Sequence, residues 1–171
     1  MSNLSGFRKA AEKLASREEA VQRVARWRAE GKRVAYTNGC FDVIHAGHVR
    51  TLEAARQHGD VLVVGINSDE SARRIKGPGR PIFKERERAE MVAALEAVDL
   101  VVVFPEESSL PLIAELRPEV WVKGGDYTLD TVNQEEKAFV ESYGGGVALG
   151  ERVAGESTTD VIARVKALPE G

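Results

Sequence analysis

Arg33-Val34-Ala35-Tyr36-Thr37-Asn38-Gly39-Cys40-Phe41-Asp42-Val43-Ile44-His45-Ala46-Gly47-His48 is the stretch whose reading decides the fold. A short apolar run opens it, and beyond it Val49, Leu52 and Ala55 recur at helical spacing. Strand, loop, helix places the loop at the carboxyl end of a strand and beside the free amides of a helix N-terminus. That is where α/β proteins hold phosphate. His45 and His48 lie one helical turn apart with only Ala46 and Gly47 between them, so both imidazoles point into one small space. The pattern predicts a cradle for a nucleoside triphosphate.

Working outward, apolar runs of strand length recur at residues 33–38, 60–66, 99–104, 119–123 and 146–150. Helical patterns alternate with them near 47–58, 84–97, 109–117, 133–143 and 158–168. An earlier helix starts at a Ser16/Glu19 capping box and stops at Gly31. Asn133 and Glu136 read as a second capping box. Val61-Leu62-Val63-Val64 and Leu100-Val101-Val102-Val103 are continuously apolar, which marks strands buried on both faces of a parallel sheet. The expected fold is a single Rossmann-like, doubly wound α/β domain with a five-stranded parallel sheet. It would span residues 16–168, behind a flexible segment at 1–15.

Composition narrows the function. The 171 residues are 43% hydrophobic, enough for one sizeable core, and the net charge of −3 gives no case for nucleic acid or an anionic membrane. Cys40 is the single cysteine, so an intramolecular disulfide is impossible and a reducing cytoplasm is the expected compartment. No run approaches the ~18 apolar residues of a membrane span, and the first fifteen residues lack a secretory h-region.

Loops that follow parallel strands converge at one sheet edge. The first carries Thr37, Asn38, Gly39, Phe41, Asp42, His45, Gly47 and His48; the second carries Asn67, Ser68 and Asp69, then Lys76, with Arg80 in Gly77-Pro78-Gly79-Arg80-Pro81. Another carries Lys123, Gly124, Gly125, Asp126 and Tyr127, and the last carries Arg152, Gly155, Ser157, Thr158 and Thr159. Histidines, cations, hydroxyls and helix N-termini make a polyanion site. Phosphoryl and nucleotidyl transfer require placement and positive charge more than covalent help.

Plainer readings compete with several of these residues. A His-x-x-His pair with Cys40 could bind metal, although its spacing differs from that of the zinc protease helix. Cys40 reads as a small core residue rather than a nucleophile, and Asp42 as a turn cap or as the residue that orders the phosphate loop. Lys76 could be a solvated loop lysine. Arg88 lies in Glu85-Arg86-Glu87-Arg88, where solvated helix-face charge is the ordinary reading. No Gly-x-Gly-x-x-Gly follows the first strand. The P-loop-like run at 150–157 has Glu156 where a phosphate-binding lysine is required.

Gly39-Cys40-Phe41-Asp42 with His45-Ala46-Gly47-His48 resembles the first signature of the cytidylyltransferase-like nucleotidyltransferases. Arg152, Gly155, Ser157, Thr158 and Thr159 match their second, Arg-x-x-Gly-x-Ser-Thr-Thr. The resemblance covers residues 16–168. Lys76 to Pro81, Lys123 to Thr128 and Asn133-Gln134-Glu135-Glu136 look most like the heptose 1-phosphate adenylyltransferases, which occur alone or fused to a kinase; this chain would be the stand-alone form. The resemblance implies transfer of AMP from ATP to heptose 1-phosphate, giving ADP-heptose and pyrophosphate. Mg²⁺ would accompany ATP without a dedicated protein metal site. His45 and His48 would contact the phosphates and stabilise the pentacoordinate transition state, while Lys76 and Arg88 would neutralise the triphosphate or the sugar phosphate. Asp126 and the glycines before it would line the nucleoside pocket, Ser157 and Thr158 would hold phosphate, and Asp69 and Arg80 would meet the acceptor. A CTP-dependent glycerol 3-phosphate cytidylyltransferase carries the same two signatures and is the nearest alternative. A non-catalytic nucleotide-binding module is another. A homodimer is implied by the family only.

Overall fold

The structure is a computed structural model and describes residues 8–124, 127–150 and 157–169. Its elements in chain order are α1 (Ala10–Lys13), β1 (Leu14–Ala15), α2 (Arg17–Ala29), β2 (Val34–Gly39), α3 (Ala46–Arg56), β3 (Val61–Asn67) and α4 (Asp69–Lys76). There follow α5 (Glu85–Ala93), β4 (Leu100–Phe104), α6 (Leu110–Leu116), β5 (Val120–Lys123), α7 (Gln134–Ser142), β6 (Gly146–Leu149) and α8 (Thr158–Lys166). The strands form one parallel sheet in the order β1-β4-β3-β2-β5-β6.

The sheet therefore has six strands, not five. The additional strand is Leu14–Ala15, which pairs with Val101 and Val102 at the β4 edge. It lies before the Ser16 cap from which the domain was expected to begin. Lys13 ahead of it is buried, and its ammonium donates to the Leu95 carbonyl at 2.9 Å. Residues 69–76, read as loop, form α4, capped by Ser68, whose hydroxyl accepts from the Ser71 amide.

The expected signals explain most boundaries. Ser16 and Glu19 close the capping box of α2, and Gly31 follows that helix with φ +77. Every residue of β3 is buried, as a central strand covered on both faces requires. One core contains Ala20, Val24, Leu112, Ile113 and Val140, from α2, α6 and α7. The other contains Leu52, Ala55, Ala89 and Val92, from α3 and α5. Strand β2 is thus followed by a helix on one face and its neighbour β5 by a helix on the other. The chain order reverses between them, and a crevice opens at their carboxyl ends.

Candidate active site

That crevice is a cleft of about 900 Å³. Thr37, Asn38, Gly39, Phe41, Asp42, His45, Gly47, His48, Lys76, Arg80, Lys123, Gly124, Ser157, Thr158 and Thr159 line it, as the sequence predicts. Asp126, Arg152 and Gly155 lie outside the described residues.

The β2–α3 loop holds its shape through strained backbone and one saturated carboxylate. Phe41 and Val43 adopt φ +48 and +51, a left-handed conformation that is costly for any side chain and most so for a β-branched one. Between them Asp42 is turned inward. Its carboxylate accepts from the amides of Ile82 (2.9 Å) and Phe83 (3.1 Å) and from Arg80 Nε (2.7 Å). Burial alone would raise the Asp42 pKa; those amides and the guanidinium outweigh it and hold the carboxyl below its ordinary range. Asp42 thus orders the loop through its side chain.

His45 is the N-cap of α3, and its Nδ1 accepts from the Gly47 amide at 3.1 Å. In the neutral ring the proton is therefore on Nε2. The His48 ring stacks on it with centroids 3.8 Å apart and 29° between planes, and the Phe41 ring packs against His48, tilted, at 5.3 Å. Burial, reinforced by His45, lowers the His48 pKa to about 4. His48 is neutral near pH 7 and offers a hydrogen bond rather than a full charge. Its Nδ1 is buried and has no hydrogen-bond partner among the described residues.

Across the cleft Ser157 caps α8, its hydroxyl accepting from the Asp160 amide. The Thr158 hydroxyl donates to the Asp42 carbonyl at 2.7 Å. Two helix N-termini are thereby held against one cavity, each adding partial positive charge. Lys123 supplies an ammonium 4.8 Å from the Tyr127 ring centroid, and burial lowers its pKa. Gly124 is glycine because a Cβ there would stand 2.1 Å from Thr51 Cγ2 of α3. Trp121 Nε1 donates to Asn38 Oδ1 at 3.1 Å and orients that side chain.

Arg88 and Asp69 do not line the cleft. Arg88 is fully buried beneath the loops rather than solvated. It donates to the carbonyls of Phe83, Cys40 and Asn67 and, at 3.0 Å, to Asp69 Oδ1. It joins three rim segments. Cys40 lines the cleft, but burial pushes its thiol pKa up, against a nucleophilic role.

Glu107, Ser108, Asn133 and Glu136 also line the cleft, although the sequence had not marked them as site residues. Glu107 and Ser108 follow β4, and the rule that loops after parallel strands share one rim points to them. Glu136 is not half of a capping box. Asn133 alone caps α7, accepting from the Glu135 and Glu136 amides, while the Glu136 carboxylate turns to Ser108 and Ser109.

A strand–loop–helix cradle with paired imidazoles at a parallel-sheet rim defines a phosphate-handling α/β protein. The chain belongs to the cytidylyltransferase-like family, whose model matches residues 36–164. It is 56% identical over 138 residues to the bifunctional protein HldE of Syntrophotalea carbinolica, covering 81% of this chain and 28% of that protein. It is 53% identical over 161 residues to the HldE of a Bradyrhizobium species, covering 94% of this chain and 32% of that protein. The chain thus spans about a third of the length of the curated relatives it matches. The lipopolysaccharide core biosynthesis protein of Thermoplasma volcanium shares the fold with a TM-score of 0.63 and 25% identity, over 72% of this chain and 99% of that one.

Proposed function

We propose that the cleft transfers AMP from ATP to a sugar 1-phosphate, heptose 1-phosphate, giving ADP-heptose and pyrophosphate. The observation that carries this reading is the stacked imidazole pair at one helix N-terminus, joined through Asp42 and Thr158 to a second. An oxygen of the sugar phosphate attacks the α-phosphorus of ATP. That new P–O bond forms as the bond to the β-phosphate bridging oxygen breaks, and the electron pair leaves on pyrophosphate. The substrate is its own nucleophile, so no enzyme thiolate or alkoxide is needed.

The protein contributes placement and charge. His45 and His48 donate to phosphate oxygens, and the negative charge that develops there strengthens these bonds in the transition state. Donors of this kind contribute on the order of 10²–10³ in rate. Lys76 and Lys123 supply the full positive charge that a neutral His48 does not. The amides of α3 and α8 complete the cradle.

Magnesium supplies further charge neutralisation when it accompanies the nucleotide, and this donor set does not cage it. Among the described residues no group of three or more His, Cys, Asp or Glu could hold a metal. Asp42 is saturated by Arg80 and two amides, and Asp160 Oδ2 is taken by Ser157.

The choice of heptose rests on the motif resemblance at Lys76 to Pro81 and Lys123 to Thr128. The HldE relatives and the lipopolysaccharide core biosynthesis neighbour support it. Among the described residues no helix is long and apolar enough to cross a membrane. Pyrophosphate release is to be measured with ATP and with CTP, each against heptose 1-phosphate and glycerol 3-phosphate. ATP with heptose 1-phosphate is expected to be fastest by at least tenfold. Release confined to CTP with glycerol 3-phosphate would replace this assignment. ATP binding with no release from any pair would leave a nucleotide-binding module.

A further inference from the structure

One buried carboxyl group at the cleft has no part in nucleotidyl transfer itself. Glu136 is 3% exposed and lines the cavity. Its Oε1 accepts from the Ser109 amide (2.7 Å), the Ser108 hydroxyl (2.9 Å) and the Ser109 hydroxyl (3.2 Å). Its Oε2 accepts from no described residue. A carboxylate has room for about four hydrogen bonds, so Oε2 keeps acceptor capacity for a group bound in the cleft.

The chemistry of the surroundings selects what Oε2 can take. At Oε2 itself a phosphate is disfavoured because two anions would meet there, and the nearby Lys123 ammonium offsets the Glu136 charge. Asp42, Arg80 and Thr158 form a separate hydrogen-bonded network that does not include Glu136. A purine would need an apolar face to stack on, whereas Glu107, Ser108, Asn133 and Glu136 are all polar. A hydroxyl fits: it donates to a carboxylate in a short, charge-assisted bond. Asn133 supplies the complement. Its Oδ1 is committed to the Glu135 and Glu136 amides at 3.0 and 3.1 Å, which leaves its NH₂ to donate. An acceptor on Glu136 and a donor on Asn133, three residues apart at the start of α7 and both lining the cleft, suit a vicinal diol.

We propose that Glu136, with Asn133 and Ser108, forms the subsite that reads the hydroxyls of the acceptor sugar and so sets acceptor specificity. This rests on the nucleotidyl-transfer reading and names the groups that choose its substrate.

The decisive variant is Glu136→Gln, which keeps an oxygen for the serines and turns the cleft-facing acceptor into a donor. The KM for heptose 1-phosphate should rise about 10- to 100-fold, the range expected for a lost hydrogen bond to a charged group. The KM for ATP should stay within twofold. A rise in the ATP KM instead, or no change in either, overturns the subsite. If Glu136→Gln does not fold, the wild-type protein decides: free heptose, lacking phosphate, should inhibit competitively against heptose 1-phosphate and not against ATP. No inhibition by the free sugar overturns the proposal. Wild-type protein that releases no pyrophosphate with any sugar phosphate overturns the functional reading itself, and is seen before any variant is made.

Discussion

The hydroxyl of Thr158 donates to the main-chain carbonyl of Asp42 at 2.7 Å, tying the first turn of the last helix to the loop that carries both histidines. The bond costs little to remove and matters for geometry. Thr158→Val should lower stability by about 1 kcal/mol yet reduce kcat/KM tenfold or more. Thr158→Ser should recover most of the activity. Denaturant unfolding beside steady-state kinetics separates the two effects, and equal activity in Val and Ser variants would count against the tie.

Asp42→Asn breaks the pair with Arg80 on a side chain that is 1% exposed. Removing one partner of a buried ion pair leaves the other uncompensated and costs about 3 kcal/mol. Arg80 retains some solvent access, which places the expectation at the low end of that class. Urea unfolding measures it. Limited proteolysis should also find the segment at residues 80–83 more readily cut once its amides lose their acceptor.

Arg88 and Lys76 should behave oppositely, although both read as phosphate ligands in the sequence. Arg88→Met strands the buried carbonyls of Cys40 and Asn67 and should destabilise by about 3 kcal/mol, with activity falling as the rim loosens. Lys76→Met should leave the melting temperature within a degree or two and lower kcat/KM about 100-fold. A stable, inactive Arg88→Met would return that arginine to the catalytic machinery.

The Arg88 case shows where sequence reading runs out. Alternating Glu and Arg at residues 85–88 looks like a solvated face; its burial depends on carbonyls supplied by loops far away in the chain. Glu136 failed for the same reason, since a capping box and a tertiary bond to Ser109 share one local pattern. Leu14–Ala15 is too short to show a period, and only its register against β4 makes it a strand. What was legible was what local chemistry encodes. The central strands follow from continuously apolar runs, and the start of α2 from the Ser16 capping box. The His45/His48 cradle follows from spacing alone.

Glycine at 124 is demanded by packing. Gly124→Ala would drive a methyl into Thr51, costing about 1–3 kcal/mol. Thr51→Ala in the same chain should restore much of it. A double-mutant cycle by thermal unfolding reads the coupling; additive losses would show that the close approach is not the cause.

The lowered His48 pKa predicts a pH dependence of stability. A histidine at about 4 when folded binds its proton less readily than the unfolded chain, whose value is near 6.5. Its contribution is therefore intact above pH 6.5 and is lost as pH falls from there towards 4. His48→Gln should flatten the stability profile across that window. A profile unchanged by the substitution would mean that the ring is not shielded.

The central claim is that the paired rings of His45 and His48 hold a triphosphate for attack at its α-phosphorus, and one label experiment tests it directly. ATP carrying ³²P at the α-position is incubated with heptose 1-phosphate and either the wild-type protein or the His45→Ala and His48→Ala variants. The account predicts label in the nucleotide sugar with the wild type, and transfer lowered by about 10²–10³ in each variant with unfolding curves unchanged. Full-rate transfer by both folded variants would contradict it.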